Sequence, residues 1–296
     1  MALDNTGNEI SRRLLWYRTK VSYWIRDRLR PPVLKNGGFC PTCLRKTRFV
    51  AREPWLRDHY VCEACGSIPR ERALMLATER FAPNWRELTI HESSPGNRGA
   101  SMRLAAECTR YIPSQFFPGQ QAGSIVGKHR CENLEAMSFA DQSIDIHVTQ
   151  DVLEHVFEPA RAFQEIARTL RPGGMHIFTV PLVTKERPSR VRAQMVGGQV
   201  VYLEPAQYHG NPVGDGRALV TMDWGYDICR YIFDNSGLYT HIVHIDDLSH
   251  GVRAELLEVL VTVKPLQEER VSGLPASPAS GPDQGTVDSR PGEQLS

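Results

Sequence analysis

The chain has 296 residues, of which 41% are hydrophobic and 23% charged, for a formal net charge of +1. This is an ordinary globular composition, and the length suits one large domain with a small appendage, or two modest domains. No apolar run approaches the roughly 20 residues needed to span a bilayer, and the N-terminus lacks the apolar core and cleavage site of a secretory signal. The expectation is therefore a soluble, cytoplasmic protein with no transmembrane segment.

The near-zero total hides an asymmetry. Residues 1–72 carry 15 Lys and Arg against 7 Asp and Glu, whereas the remainder carries 20 against 27. A basic front end suggests an anionic partner, nucleic acid or a membrane surface, or else charge pairing with the acidic body. Residues 1–36 form a basic arm. Within it, over residues 9–30, Ile10, Leu14, Tyr17, Val21, Trp24 and Ile25 recur at helical spacing among arginines, and Pro31-Pro32 end the pattern. Such a helix docks on its own domain, lies in a membrane interface or grips nucleic acid.

Residues 37–70 hold "CPTC" and "CEAC", which together read C-x2-C-x18-C-x2-C. That spacing is the pattern of a four-cysteine zinc ribbon, with Cys40, Cys43, Cys62 and Cys65 as ligands. Four thiolates leave no open coordination position, so the Zn2+ is expected to be structural. The ribbon either grips phosphates through Arg45, Lys46, Arg48, Arg52 and Arg57 or clips the N-terminal arm to the body.

From about Arg70 a helical run, "RERALMLATERF", leads to Pro83, and residues 86–264 then alternate β-rich and helical stretches, within a large domain expected over residues 71–265. Strands are expected at 88–91, 109–112, 144–149, 175–180, 240–245 and 257–263, with the clearest helices at 98–107, 158–169 and 226–235. This order argues for a parallel sheet covered by helices. Residues 266–296 lack aromatics and are rich in Pro, Gly and Ser, the composition of a disordered tail.

Two stretches carry a resemblance. "SFADQSIDIHVTQDVLEHV" and "EIARTLRPGGMHIFTVP" form a strand–helix–strand unit whose helix is stopped by "RPGG". They resemble class I S-adenosylmethionine-dependent methyltransferases of the type 11 group, over roughly residues 86–264. "CEACGSIPRERAL" looks like a subset of bacterial members that carry a cysteine module in front. The resemblance implies a Rossmann-like α/β fold: an open, mostly parallel seven-stranded sheet with helices on both faces, preceded by the small zinc-ribbon module.

The resemblance also implies a site. Family members end the first strand in an acid and a glycine-rich turn; here "TIHESSPGNRG" keeps Glu92 and Gly96 and puts Ser93 and Ser94 in place of glycines. Small residues still let the backbone approach the methionine part of the cofactor, and the next helix offers free N–H groups to its carboxylate. Gln115 stands where an acid usually holds the ribose, and accepts without charge assistance. Glu132 and Asn133 match the adenine contacts, while Gln150, Asp151 and Val152 match the wall under the sulfonium.

Methyl transfer needs in-line alignment and, for a hydroxyl or amine, removal of a proton. His155 and His209 are the candidate catalytic bases. Substrate reading is expected in "EPAQYHGNPVGDGRALVTMDWGYD", through Tyr208, His209, Asn211, Asp223, Trp224 and Tyr226. The function expected is transfer of a methyl group to O or N of a small-molecule or glycan acceptor. The alternatives are an RNA methyltransferase that holds RNA through the basic ribbon, and a non-catalytic methyltransferase-like binding platform.

Overall fold

The computed structural model describes residues 30–210 and 216–266. The helix expected over residues 9–30, the tail beyond residue 266 and Asn211 lie outside the described residues.

The N-terminal module is a three-stranded antiparallel sheet of β1 (Leu34–Cys40), β2 (Arg45–Ala51) and β3 (Val61–Cys62), with one helical turn, α1 (Leu56–His59), between the last two. Both cysteine pairs sit at its turns, and all four thiols are free and close enough for one ion. Sulfur separations of 3.8 Å (Cys40–Cys65) and 4.0 Å (Cys43–Cys62) are far too long for a disulfide. They match the edge of about 3.8 Å expected for a tetrahedron of thiolates around one ion with 2.3 Å bonds.

The body begins with α2 (Pro69–Phe81) and is built on β4 (Thr89–Ser93), α3 (Gly99–Glu107), β5 (Arg110–Gln115), β6 (Ile125–Val126), β7 (His129–Cys131), β8 (Ile144–Gln150), α4 (Pro159–Thr169), β9 (Leu170–Thr179), α5 (Ile228–Ser236), β16 (Tyr239–Val243) and β17 (Val259–Val263). Between β9 and α5 lie three short antiparallel pairings: β10 (Arg190–Val191) with β15 (Met222–Asp223), β11 (Ala193–Val196) with β12 (Gln199–Tyr202), and β13 (Tyr208–Gly210) with β14 (Arg217–Leu219).

The main sheet has the order β16-β17-β9-β8-β4-β5-β7-β6. Strands β5, β4, β8 and β9 pair in parallel, and β7 joins β5 in parallel, while β17 runs antiparallel between β9 and β16. This is the expected Rossmann-like sheet with an eighth strand added. The extra strand, β6, folds back on β7 through Gly127-Lys128, where Gly127 has φ 63°; a two-residue strand leaves too short a pattern to read from sequence.

Period-two alternation splits the core. Val259 and Val261 join Ile90, Val148 and Ile177 beneath α2 and α3, whereas Leu260 and Phe178 face α4 and α5. Helix α4 starts with Pro159, whose missing N–H costs nothing at a first turn. The "RPGG" segment ends it and also lies at the register break between β8 and β9. A Cβ on Gly174 would lie 2.9 Å from the carbonyl oxygens of both Asp145 and Arg171, so only glycine passes there.

Three histidines cross the sheet side by side in register, His91 on β4, His147 on β8 and His176 on β9, all buried. His91 Nδ1 lies 2.8 Å from His147 Nδ1, His91 Nε2 2.7 Å from Ser114 Oγ, and His147 Nε2 2.8 Å from Thr169 Oγ1. Thr169 donates to the Glu165 carbonyl, which fixes the direction of the chain. His147 Nε2–H donates to Thr169, His91 Nδ1–H to His147, and Ser114 to His91, so both rings are neutral. Burial holds His91 and His176 down to about 3 and His147 well below its ordinary value.

The cysteine module packs into the body as part of one unit. Arg72 on α2, fully buried, donates to the carbonyls of Ser67, Tyr60 and Gly251 and stacks over Phe49 and Tyr60. Arg103 on α3 reaches the Pro41 carbonyl at 2.6 Å, and Asn36 reaches that of Leu248 at 2.5 Å. Among the described residues, no helix is long and apolar enough to cross a membrane.

Candidate active site

A cavity of about 1190 Å3 opens over the carboxyl ends of β4, β5, β7 and β8. The chain winds outward from β4 to β5 and β7, then returns to β8 on the other side of β4. The mouth therefore lies at the topological switch point, where open α/β sheets bind ligands. The short hairpins between β9 and α5 wall one side, and Trp55 and Arg57 of the cysteine module wall another.

The β4 turn is shaped from below. Glu92 is 1% exposed and accepts from Ser101 Oγ at 2.6 Å, Gln150 Nε2 at 2.8 Å and Tyr111 Oη at 2.6 Å. Burial pushes its carboxyl up, and the three hydrogen bonds work against that. Burial, followed by the Glu92 charge, pushes the Tyr111 phenol up as well and keeps it a donor. Ser101 also accepts from the Gly96 N–H at 2.9 Å, so one serine in the first turn of α3 ties the acid to the turn. Ser94 sits at φ 54° with its N–H bonded to the Ser114 carbonyl at 2.8 Å. Glu92 and Gly96 thus form the turn without lining the cavity, whereas Ser93 and Ser94 do line it.

Gln115, Glu132, Asn133, Gln150, Asp151 and Val152 line the same cavity. Glu132 accepts from Arg130 Nε at 2.6 Å and from the Ser138 hydroxyl and N–H at 2.5 and 2.8 Å, so its carboxylate is largely engaged within the protein. Asn133 Oδ1 accepts from the Glu135 N–H at 3.0 Å and shapes its own loop. Phe116, Pro118 and Leu134 supply an apolar wall beside these polar groups.

Asp151, at φ 53°, is the meeting point of module and body. Its Oδ2 lies 2.8 Å from Arg57 Nη2 and 3.2 Å from Arg70 Nε, and its Oδ1 accepts from Thr179 Oγ1 at 3.0 Å. Burial alone would raise this carboxyl, but the Arg57 and Arg70 guanidiniums hold it below the usual range. Sequence reasoning missed both arginines as site residues, because their partner lies 94 positions from Arg57 along the chain.

On the same lining, close to Asp151, Glu154, His155 and His209 converge. Glu154 Oε1 lies 3.7 Å from His155 Nε2 and 3.7 Å from His209 Nδ1. The Glu154 carboxylate raises the pKa of His209, against a lowering by burial. Glu154 was also missed, although it stands inside the quoted "VLEH". Of the residues expected at a substrate, His209 and Asp223 line the cavity. Asp223 is already paired with Arg190 at 3.0 Å and Arg192 at 2.8 Å.

The other expected substrate residues among the described ones lie elsewhere. Trp224 is fully buried, packs edge-on against Phe163 and Tyr231 and donates to the Leu153 carbonyl at 3.3 Å. Tyr226 turns to Glu258, with its hydroxyl 3.4 Å from the carboxylate. Tyr208 projects outward, 43% exposed, beside Arg217 and Tyr202. An aromatic-rich stretch needs rings to hold an insertion on a sheet, and sequence alone does not separate those rings from ligand-facing ones.

Comparison with known proteins finds methyltransferases. Residues 104–178 match the family described as a methyltransferase domain. An uncharacterized methyltransferase of Mycobacterium avium (strain 104) is 31% identical over 112 residues, 35% of this chain and 44% of that protein. One of Mycobacterium sp. (strain KMS) is 30% identical over 110 residues, 32% and 42% of the two chains. The match thus spans less than half of each relative. A solved S-adenosylmethionine-dependent methyltransferase from Mesorhizobium loti, 16% identical, aligns over 65% of this chain and 98% of its own with a TM-score of 0.41.

Proposed function

We infer that this chain, which carries a methyltransferase domain, transfers a methyl group from S-adenosylmethionine to an oxygen or nitrogen of a small-molecule or glycan acceptor. The observation that carries the reading is the single cavity that joins the β4 turn to the His155–His209 end across the switch point. Its volume, about 1190 Å3, suits a nucleoside-sized cofactor together with a modest acceptor.

The residues present fit the cofactor. The small side chains of Ser93 and Ser94 let its amino-acid end approach the backbone, with the N-terminus of α3 next to them. Gln115 would accept from the ribose hydroxyls, Asn133 would meet the adenine edge, and Phe116 and Leu134 offer an apolar wall for the flat ring. Gln150, Asp151 and Val152 floor the space between cofactor and acceptor. Bound there, S-adenosylmethionine supplies an electrophilic methyl on a sulfonium, and the protein's task is alignment and proton removal. His155 donates Nδ1–H to the Leu219 carbonyl at 2.8 Å, which leaves Nε2 as the lone pair that faces the acceptor end, next to His209.

Zn2+ held by Cys40, Cys43, Cys62 and Cys65 would fix the module that delivers Arg57 to the cavity. In this reading the ribbon is a clip, and its docked face speaks for that role over an RNA grip. Arg57 turns inward to Asp151, and Arg72 of α2 reaches back to the Tyr60 and Ser67 carbonyls of the module.

Calorimetric titration of the zinc-loaded full chain with S-adenosylmethionine and S-adenosylhomocysteine tests the reading. Micromolar binding is expected, weakened about 10-fold by Gln115→Leu, which removes one buried hydrogen bond. Absence of binding to the folded protein would leave the non-catalytic platform standing instead.

A further inference from the structure

Glu154 is an anomaly within the cavity. Its side chain is 3% exposed, and neither carboxylate oxygen has a hydrogen-bond partner among the described residues. An isolated buried carboxylate is strongly unfavourable, so a group of this kind implies a positive partner.

Two imidazoles approach it without bonding to it. His155 Nε2 and His209 Nδ1 each stand 3.7 Å from Glu154 Oε1, beyond hydrogen-bond reach. The rings are perpendicular, with centroids 5.1 Å apart, and the three ligand atoms lie within 4.8 Å of one another. Atoms bound to one cation at about 2.0–2.2 Å stand about 3–3.5 Å apart, so the two 3.7 Å separations from Glu154 need to shorten only slightly to hold an ion.

The surroundings hold these side chains in place. His155 Nδ1–H donates to the Leu219 carbonyl, which sets the tautomer and aims the Nε2 lone pair inward, as outer partners do for ligating histidines. The Glu154 carbonyl accepts from the Thr221 N–H at 2.8 Å and the Thr221 hydroxyl at 3.1 Å, and the Leu153 carbonyl accepts from Trp224. His209 is fixed on β13 opposite Ala218 of β14. The nearby Arg57 and Arg70 charges are met by Asp151 and Asp58.

We propose that Glu154, His155 and His209 form a second metal site, separate from the four thiolates, that binds a first-row divalent cation at the acceptor end of the cavity. Two imidazoles and a carboxylate on one side of an ion leave its other positions open to the cavity. That donor set selects an acceptor with two adjacent oxygen donors, such as a hydroxyl beside a carbonyl or a second hydroxyl. A hydroxyl on the ion releases its proton to solvent more readily and presents an oxyanion. His209 then serves as a ligand rather than as a free base. The ion site itself rests on the geometry alone; only its use toward an acceptor rests on the methyltransferase reading.

The test is Co2+ titration of the zinc-loaded full chain, followed by visible absorption. One equivalent is expected to bind with weak visible bands characteristic of nitrogen and oxygen donors and without the near-ultraviolet thiolate band. Glu154→Gln and, independently, the half-exposed His209→Gln should each weaken binding at least about 10-fold. An unchanged far-ultraviolet circular dichroism spectrum and a cooperative thermal melt of both variants serve as the control for folding. No second equivalent, a thiolate band only, or unchanged binding in both variants overturns the proposal. Co2+ binding without any S-adenosylmethionine binding would refute the methyltransferase reading and leave the ion site intact.

Discussion

The buried histidine row makes stability depend on pH in a direction the structure fixes. His91 and His176 titrate near 3 in the fold against 6.5 when unfolded, so between those values the unfolded chain binds more protons. Their contribution is complete above pH 6.5 and is lost as the pH falls. From 6.5 to 5.0 the loss is about 1.5 pKa units for each ring, or about 2 kcal/mol each at 1.36 kcal/mol per unit. His147 adds in the same direction. Glu92, whose carboxyl is raised by burial, and His209, raised by the Glu154 carboxylate, work in the opposite direction, and the expected net change from pH 7.5 to 5.0 is a loss. Urea unfolding followed by tryptophan fluorescence at pH 7.5 and 5.0 measures it, since Trp85 and Trp224 are fully buried reporters. A histidine Cε1–H NMR titration should show three rings that stay neutral at pH 5. A midpoint that does not move, or three folded-state titrations near 6.5, would refute the reasoning.

Two substitutions test the docking of module and body. Asp151→Asn leaves Arg57 and Arg70 without their shared carboxylate, and the expected loss is about 3 kcal/mol, or about 6–12 °C in a thermal melt; an unchanged melt would mean that the pair contributes nothing net. Gly251→Ala forces a side chain at φ 68° into the Phe49 ring, 2.5 Å away, and should cost about 1–3 kcal/mol while opening residues 30–66 to limited proteolysis. Gly237→Ala at φ 71° meets nothing within 4 Å and should cost only about 1 kcal/mol, so equal effects of the two changes would contradict the close-approach argument.

Most of the fold was legible because the body obeys local rules. Expected strand 144–149 is β8 at Ile144–Gln150, expected helix 158–169 is α4 at Pro159–Thr169, and the other elements shift by a few residues. Long apolar alternation and a proline start are strong short-range signals. The pairs at residues 190–223 were not read, because two- to four-residue strands carry no period and owe their pairing to the sheet beneath. The "RPGG" segment was read as a helix stop; that it also marks a register break depends on Asp145, a residue on the neighbouring strand.

The site divides along the same line. The β4 turn was recognisable, but the reason it tolerates serines lies in Ser101 and Tyr111, which reach Glu92 from α3 and β5. A motif records which residues occur in a loop and not which distant side chains hold it open. Asp151 makes the point more sharply, since the resemblance puts it under the sulfonium but says nothing of its partners, Arg57 from the cysteine module and Arg70 from α2. Glu154 lay in plain view between Leu153 and His155. Its meaning required two facts that only three dimensions supply: that its oxygens have no hydrogen-bond donor among the described residues, and that His209, from a distant hairpin, stops 3.7 Å short of Oε1. Unmet electrostatic demand inside a cavity is a property of packing, and the chain neighbours of Glu154 give no notice of it.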